Sequence, residues 1–592
     1  MLSFLVTALL LVAIGVAPER PADNVEARRK AFAGLLAEHW EYTLSHSPEF
    51  ASILGDKRWN DKVSDVSARA IEEDLGKTKD FLSRFEAVDT AGFPEQEALT
   101  KTLLVRRFRE TLENARFKNW EMPVSQISGI HLQAPQLVSL LSFKTVKDYD
   151  DYAARMKQLP KMMDDTIAVM RLGMADNLMP PRFLLEKAAG QAQGIAGQKP
   201  EDSPFARPLT KFPADFSEDD KKKIRETYLS VIRGGVLPAY AKFATFVREE
   251  YAPKGRSEPG MWSLPDGAAR YAAAVKRSTT TNLTPEEIHR IGLDQIAEIE
   301  KQMMAVASKL GFKDLKTFNA AIEKDPKLHG HSREEILTLY RGYIAKMKPE
   351  LPRLLGRLPK ADVEVAAVEE FREKEASGAQ YNQGAKDGSR PGRVMVNTGK
   401  PEERKTISME STAYHEGVPG HHLQIAIAQE LEDLPPVRQQ SSYTAFVEGW
   451  ALYSERLGKD VGFYADPYSD YGRLQDEMLR AIRLVVDTGF HSKKWTRDQV
   501  VQFFHDHSAV DEVEVQSETD RYISWPGQAL AYKVGQLKIL ELRDRAQKTL
   551  GSRFDIRRFH DAVLGAGALP LDVLEDRINA WIALEKSAAK AS

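Results

Sequence analysis

Helical periodicity constrains this chain more than any other feature. Residues 25–45, "VEARRKAFAGLLAEHWEYTLS", and 97–117, "EALTKTLLVRRFRETLENARF", carry apolar side chains at three- and four-residue steps, which places them on one face of a helix. Residues 283–311 give the fullest pattern: Thr284 suits an N-cap, Pro285 the first turn, acids follow, and Gly311 suits the end. Residues 332–355 read as a further helix, while 190–218 and 251–267, richer in Gly, Pro and Asp, read as loops. Strand signals are few. "GRVMVNT" (392–398) alternates after the turn-like "SRPG" and reads as one short strand. The expectation is a mainly α protein with a small sheet.

Composition excludes more than it selects. The 592 residues hold 83 basic and 86 acidic side chains, a net charge of -3, so nothing favours nucleic acid or an anionic membrane surface as a partner. There is no cysteine, which rules out disulfides, thiolate metal sites and a lipid carried on cysteine. Any metal must be bound by His, Asp or Glu. Residues 2–17, "LSFLVTALLLVAIGVA", are apolar and uncharged, short for a membrane span and right for a signal-peptide core. Residues 1–17 are expected to direct export to the periplasm or medium, cleaved or kept as an anchor, with no other stable membrane insertion.

The stretch that suggests chemistry is "ESTAYHEGVPGHHLQ" (410–424). It opens like the zinc motif H-E-x-x-H, in which two histidines one helical turn apart bind the metal and the Glu acts as base toward water. Here Pro419 stands where the second histidine belongs, and histidines follow at 421 and 422. In an unbroken helix His422 would lie about 20° from His415 but about 10 Å along the axis, and His421 about 120° away. Pro419 forbids an unbroken helix, because it lacks an amide hydrogen and crowds the preceding turn. A bulge at Pro419-Gly420 would bring His421 to the usual second position, with His422 as the alternative. A third ligand is offered by "SSYTAFVEGWALYSERLG" (441–458), an amphipathic helix with Glu448 and Glu455 seven residues apart on nearly one face. An acid among Phe446, Val447, Trp450 and Leu452 is costly to bury unless paired or metal-bound. The other reading pairs both acids with Arg456 or Lys459 at the surface.

"HEGVPGHHLQ", "FVEGWALYSE", "RLVVDTGFH" (483–491) and "RYISWPGQALAYKVG" (521–535) resemble the bacterial family known as domain of unknown function 885, as do "LGD" (54–56) and "FHDAVLGAGALPLDVLE" (559–575). The histidine–glutamate pattern is similar to that of gluzincin metallopeptidases, apart from the Pro-Gly insertion. The resemblance implies a large two-lobed helical fold with a deep cleft and a small sheet beside the zinc helix. Residues 18–280 would form an N-terminal helical lobe and 281–592 the zinc-binding catalytic lobe. It implies Zn2+ held by His415, His421 and Glu448, Glu416 as general base, and a peptide substrate. It also places the oxyanion partner roughly a hundred residues beyond the first ligand, where Tyr522 and Tyr532 flank Gly527 and Gln528. Tyr522 is the expected donor and Tyr532 a substrate contact. Arg521 would meet a substrate carboxylate. Asp487 and His491 would face the cleft, or Asp487 would orient a ligand histidine. The 392–398 strand would be an edge that pairs with an extended peptide, with Asn397 touching its backbone. The expected activity is that of an exported zinc metallopeptidase acting on short peptides. A zinc hydrolase of another amide, as in cell-wall peptides, and a non-catalytic peptide-binding protein are the alternatives.

Overall fold

The structure is a computed structural model that describes residues 25–591 except 371, 372, 374, 375, 387 and 389. The expected signal segment lies outside the described residues. Helices dominate, as the periodicity requires. Val25–His46 and Glu95–Ala115 cover the first two periodic stretches. Pro285–Lys309 is capped by Thr284, whose side chain accepts from the Glu287 amide while the Glu287 carboxylate accepts from the Thr284 amide. The stretch 332–355 departs from expectation: a helix spans Arg333–Met347, and Pro349 and Pro352 reduce the remainder to a 3₁₀ turn and one short helical turn, Leu351–Leu354. The loop expected at 190–218 begins late, because the helix Arg182–Ala196 runs into it. No described helix is long and apolar enough to cross a membrane.

Three strands form one sheet in the order β1 (Val363–Ala367), β3 (Gly392–Val396), β2 (Ala379–Asn382). β1 runs parallel to β3 and β2 antiparallel to it. The strand read from sequence is therefore the central one. Both of its edges are taken, so it cannot add a peptide strand; the free edges belong to β1 and β2.

Apolar side chains gather into distinct cores. One is built from residues between Val124 and Ala252. A second joins the sheet residues Val394 and Val396 to the helices Thr444–Asp460 and Ala531–Leu550. A third packs Pro285–Lys309 against Pro467–His491, and a fourth is a phenylalanine cluster of Phe32, Phe81, Phe85 and Phe108. In the second core the helices Thr444–Asp460 and Ala531–Leu550 cross where Gly449 meets Gly535. A methyl added at Gly449 would stand 2.5 Å from the Gly535 backbone, and one added at Gly535 would stand 1.9 Å from the Ala445 carbonyl. Only hydrogen fits at this crossing, and each helix sends a side chain to His415, Glu448 from one and Tyr532 from the other.

Candidate metal centre

The histidine stretch folds as the proline demands. One helix, Met409–Glu416, ends immediately after the His-Glu pair, and a second, His421–Gln429, starts at the next histidine. The break covers Gly417 to Gly420 rather than Pro419-Gly420 alone. Gly420 is needed for this turn, because a Cβ there would lie 2.0 Å from the His415 carbonyl oxygen. Trp450, fully buried, donates its indole N–H to the Pro419 carbonyl at 2.8 Å and fastens the turn to the Thr444–Asp460 helix. That hydrogen bond is worth about 1 kcal/mol net, beyond the area that the ring buries.

The turn brings three side chains together. Glu448 Oε2 lies 3.7 Å from His415 Nε2 and 3.4 Å from His421 Nε2, and all three ligand atoms fall within 4.8 Å of one another. Two ligands of a tetrahedral zinc, each about 2.0–2.1 Å from the metal, stand about 3.3 Å apart, so the Glu–His separations match edges of such a tetrahedron. Glu448 Oε2 is buried and accepts no hydrogen bond from any described side chain or backbone amide, an arrangement that a cation would satisfy. The His, His, Glu donor set suits zinc. Glu416, at the end of its helix, is not one of the converging ligands.

Electrostatics point the same way. Burial opposes a proton on His415, yet the carboxylates of Glu448 and Glu455 overcome it and push its pKa up to about 10. Burial likewise opposes charge on Glu448, but the imidazoles of His421 and His415 hold it well below the usual carboxylate range. The pocket favours positive charge at the point where the ligand atoms meet.

His415 is oriented from behind by Glu455, whose Oε1 accepts from Nδ1 at 2.7 Å. Glu455 is fully buried and does not pair with Arg456 or Lys459 at the surface. The seven-residue spacing that put Glu448 and Glu455 on one face was the available signal, since both carboxylates address the same imidazole.

Several other expected positions serve different ends. His422 turns away from the centre: Nε2 donates to the Ala361 carbonyl at 3.1 Å, which leaves Nδ1 to accept from the Tyr381 hydroxyl at 3.1 Å. It ties its helix to β2, and His421 is the second histidine of the triad. Tyr522 is 0% exposed and its hydroxyl is consumed by Glu518 and by Arg483 Nε, so it has no proton to offer an oxyanion. Tyr532 instead lies against His415, rings nearly parallel at 18° and 6.5 Å between centroids. Its hydroxyl accepts from Arg521 Nη2 at 3.1 Å, and Arg483 sits 4.5 Å over its ring. Arg521 also bonds Gln528 at 2.7 Å and Glu518 at 3.0 Å, so its guanidinium is committed to protein partners rather than to a substrate carboxylate. His491 has both nitrogens committed, Nδ1 accepting from the Met261 amide and Nε2 donating to the Tyr522 carbonyl. Asp487 accepts from the Tyr271 hydroxyl at 2.6 Å and the Gly527 amide at 3.0 Å and touches no ligand histidine. Asn397 is buried; its side chain donates to the Glu373 and Ala376 carbonyls of the β1–β2 connection and accepts from the Gly399 amide of its own loop. Sequence reasoning missed Arg483 and the Trp450–Pro419 tie, because neither spacing nor charge marks them before the chain is folded.

No curated protein matches the chain. A solved structure titled as a "putative lipoprotein" from Colwellia psychrerythraea is similar at 29% identity with a TM-score of 0.89, covering 94% of this chain and 99% of that one. Another, titled as a "putative lipoprotein of unknown function" from Shewanella oneidensis, shares the fold at 17% identity and a TM-score of 0.68, covering 92% of this chain and 99% of that one. The model of the family described as "Bacterial protein of unknown function (DUF885)" matches residues 48–578. With nine-tenths of its length inside that match, the chain belongs to the DUF885 family.

Proposed function

We propose that this protein is an exported zinc metallopeptidase that hydrolyses peptide bonds of short peptides in a cleft between two helical lobes. The observation that carries this reading is the convergence of His415 Nε2, His421 Nε2 and Glu448 Oε2, with Glu416 following His415 at the end of its helix. A zinc ion held by these three residues supplies a Lewis acid for water and for the scissile carbonyl. Glu455 keeps the His415 proton on Nδ1, so that Nε2 presents its lone pair to the ion. Glu416 takes the proton of the attacking water and returns it to the leaving amine. Tyr532 assumes the oxyanion role: its hydroxyl already accepts from Arg521, so its own proton is free to be donated to the substrate carbonyl.

The peptide backbone is assigned to β2, which packs on the Met409–Glu416 helix. The Asn397 amide donates toward Gly378, while the Val396 carbonyl accepts from Val368 on the β1 side. By alternation, Gln380 and Asn382 face β3, and the backbone groups of Ala379 and Tyr381 face the open edge. The apolar 2–17 segment and the titles of the two similar structures support export.

Metal analysis of the purified chain together with a peptide-library digest tests the reading. One zinc per chain and cleavage that vanishes in Glu416→Gln are expected. A chain that binds no zinc, or a fully active Glu416→Gln, overturns it.

A further inference from the structure

We propose that Lys187 and Gln126 are positioning residues for Tyr532, acting through the last turn of the helix Glu512–Ser524; the inference rests on Tyr532 being the tyrosine that serves the metal centre. The helix starts in solvent, with Val513 74% exposed, and is fixed near its C-terminal end. Successive helical residues diverge by about 100°, so Asp520, Arg521 and Tyr522 leave it in three directions. Tyr522 joins Glu518 and Arg483. Arg521 reaches the Tyr532 hydroxyl and Gln528. Asp520, buried, faces the core formed by residues 124–252 and is bracketed by Lys187, on the helix Arg182–Ala196, and Arg497.

Gln126 closes the same turn from that core. Its amide donates to the Asp520 carbonyl at 3.0 Å and its side-chain oxygen accepts from Ser524 Oγ at 2.6 Å, so it serves carbonyl and hydroxyl groups at the end of the helix. Gln126 is itself held by Gln191, which donates to its carbonyl at 2.9 Å and bonds His131 at 3.1 Å. A part of the molecule that contributes no metal ligand thus grips the residue next to Arg521. A helix turn moves as a rigid unit, so a shift at Asp520 carries the Arg521 guanidinium with it. Displacements of about 1 Å around a reacting group cost up to about 100-fold in rate.

The test uses the full, zinc-loaded chain labelled with 3-fluorotyrosine, the Tyr532 signal being assigned by its loss in Tyr532→Phe. In Lys187→Met the Tyr532 fluorine resonance is expected to shift, with zinc content unchanged, and Lys187→Arg should restore it. On a cleaved peptide, kcat should fall about 10-fold with KM within about twofold. Gln126→Leu should shift the same resonance, and it answers the question even if Lys187→Met fails to fold. A Tyr532 resonance unmoved in both Lys187→Met and Gln126→Leu overturns the inference. If the zinc-loaded wild type cuts no peptide, the proposed activity falls while the fluorine shifts still decide the positioning.

Discussion

Glu448 neighbours His415, which the Tyr532 ring faces, and Glu518 bonds Arg521, which donates to the Tyr532 hydroxyl; the surroundings of these two carboxylates differ. Glu518 receives Arg521 on one oxygen and Arg483 and Tyr522 on the other, and every one of these contacts is a hydrogen bond. Glu448 faces two imidazole edges at 3.4 and 3.7 Å, and its Oε2 has no hydrogen-bond partner among the described residues. Burial opposes charge on both, yet the Arg483 and Arg521 guanidinium groups hold Glu518, and the imidazoles hold Glu448, below the usual carboxylate range. Both oxygens of Glu518 are served within the protein, and this carboxylate acts as scaffold. The Glu448 cluster is arranged around a point that the protein leaves to something else. Satisfaction of the carboxylate oxygens, rather than burial or charge, separates Glu518 from Glu448.

The comparison can be broken most severely at the ligands. His421→Ala is expected to lose zinc, whereas His422→Ala, which removes a tie to β2, keeps one zinc per chain; metal analysis of both variants separates them. Equal zinc in the two would collapse the distinction between site and scaffold. Next in size, Glu416→Gln should lower turnover by about 10³-fold with zinc retained, the span expected when a general base is removed. On the scaffold side, Glu518→Ala leaves two buried guanidinium groups short of a counter-charge. It should cost about 3 kcal/mol in urea unfolding while zinc content holds. Glu455→Gln is smaller: competition with a chelator should show zinc affinity weakened by about 10- to 100-fold.

A test by pH, away from the ligands, concerns His491 and its neighbour Asp487. Burial pushes His491 down to about 3, below its unfolded value near 6.5, so the stability it contributes is present above pH 6.5 and is lost as pH falls toward 3. Between pH 7 and 5 that loss is about 2 kcal/mol, and His491→Gln should flatten it. Burial raises Asp487 to about 7, with the opposite sign: its contribution is present below its unfolded value near 3.8 and is lost as pH rises through 7. Denaturant midpoints for Asp487→Asn should therefore lose their decline between pH 4 and 7, the reverse of the change in His491→Gln.

What the sequence disclosed divides along the same line. Helices with caps and apolar stripes were legible because their signals are local, as at Thr284 and Glu287. β3 was legible from its alternation, but "AQYN" (379–382) carries no strand signal and becomes β2 only by pairing with β3. Placing β3 at an edge failed for the same reason, since edge or centre is a property of the sheet and not of the strand. That His415, His421 and Glu448 come together could be read because a proline break and an acid on an apolar helix each leave a mark on spacing. The choice between Tyr522 and Tyr532 could not. It depends on the turn at Trp525–Gly527, where Gly527 takes φ +78° and sends the chain into the next helix. His491 and Asn397 looked available because their partners, the Met261 amide and the Glu373 and Ala376 carbonyls, are distant in sequence or belong to an irregular loop.

The Gly417–Gly420 turn has a consequence for redesign. When two metal-binding histidines share one helix, their separation is locked to the pitch, about 5.4 Å per turn, and cannot be tuned without distorting that helix. Here a short loop sets the separation, and each histidine belongs to a different rigid body. Loop substitutions that respect the contact of Gly420 with the His415 carbonyl would adjust the bite of the site in small steps. For a cation held as proposed, this architecture is an adjustable caliper, where a continuous helix would be a fixed gauge.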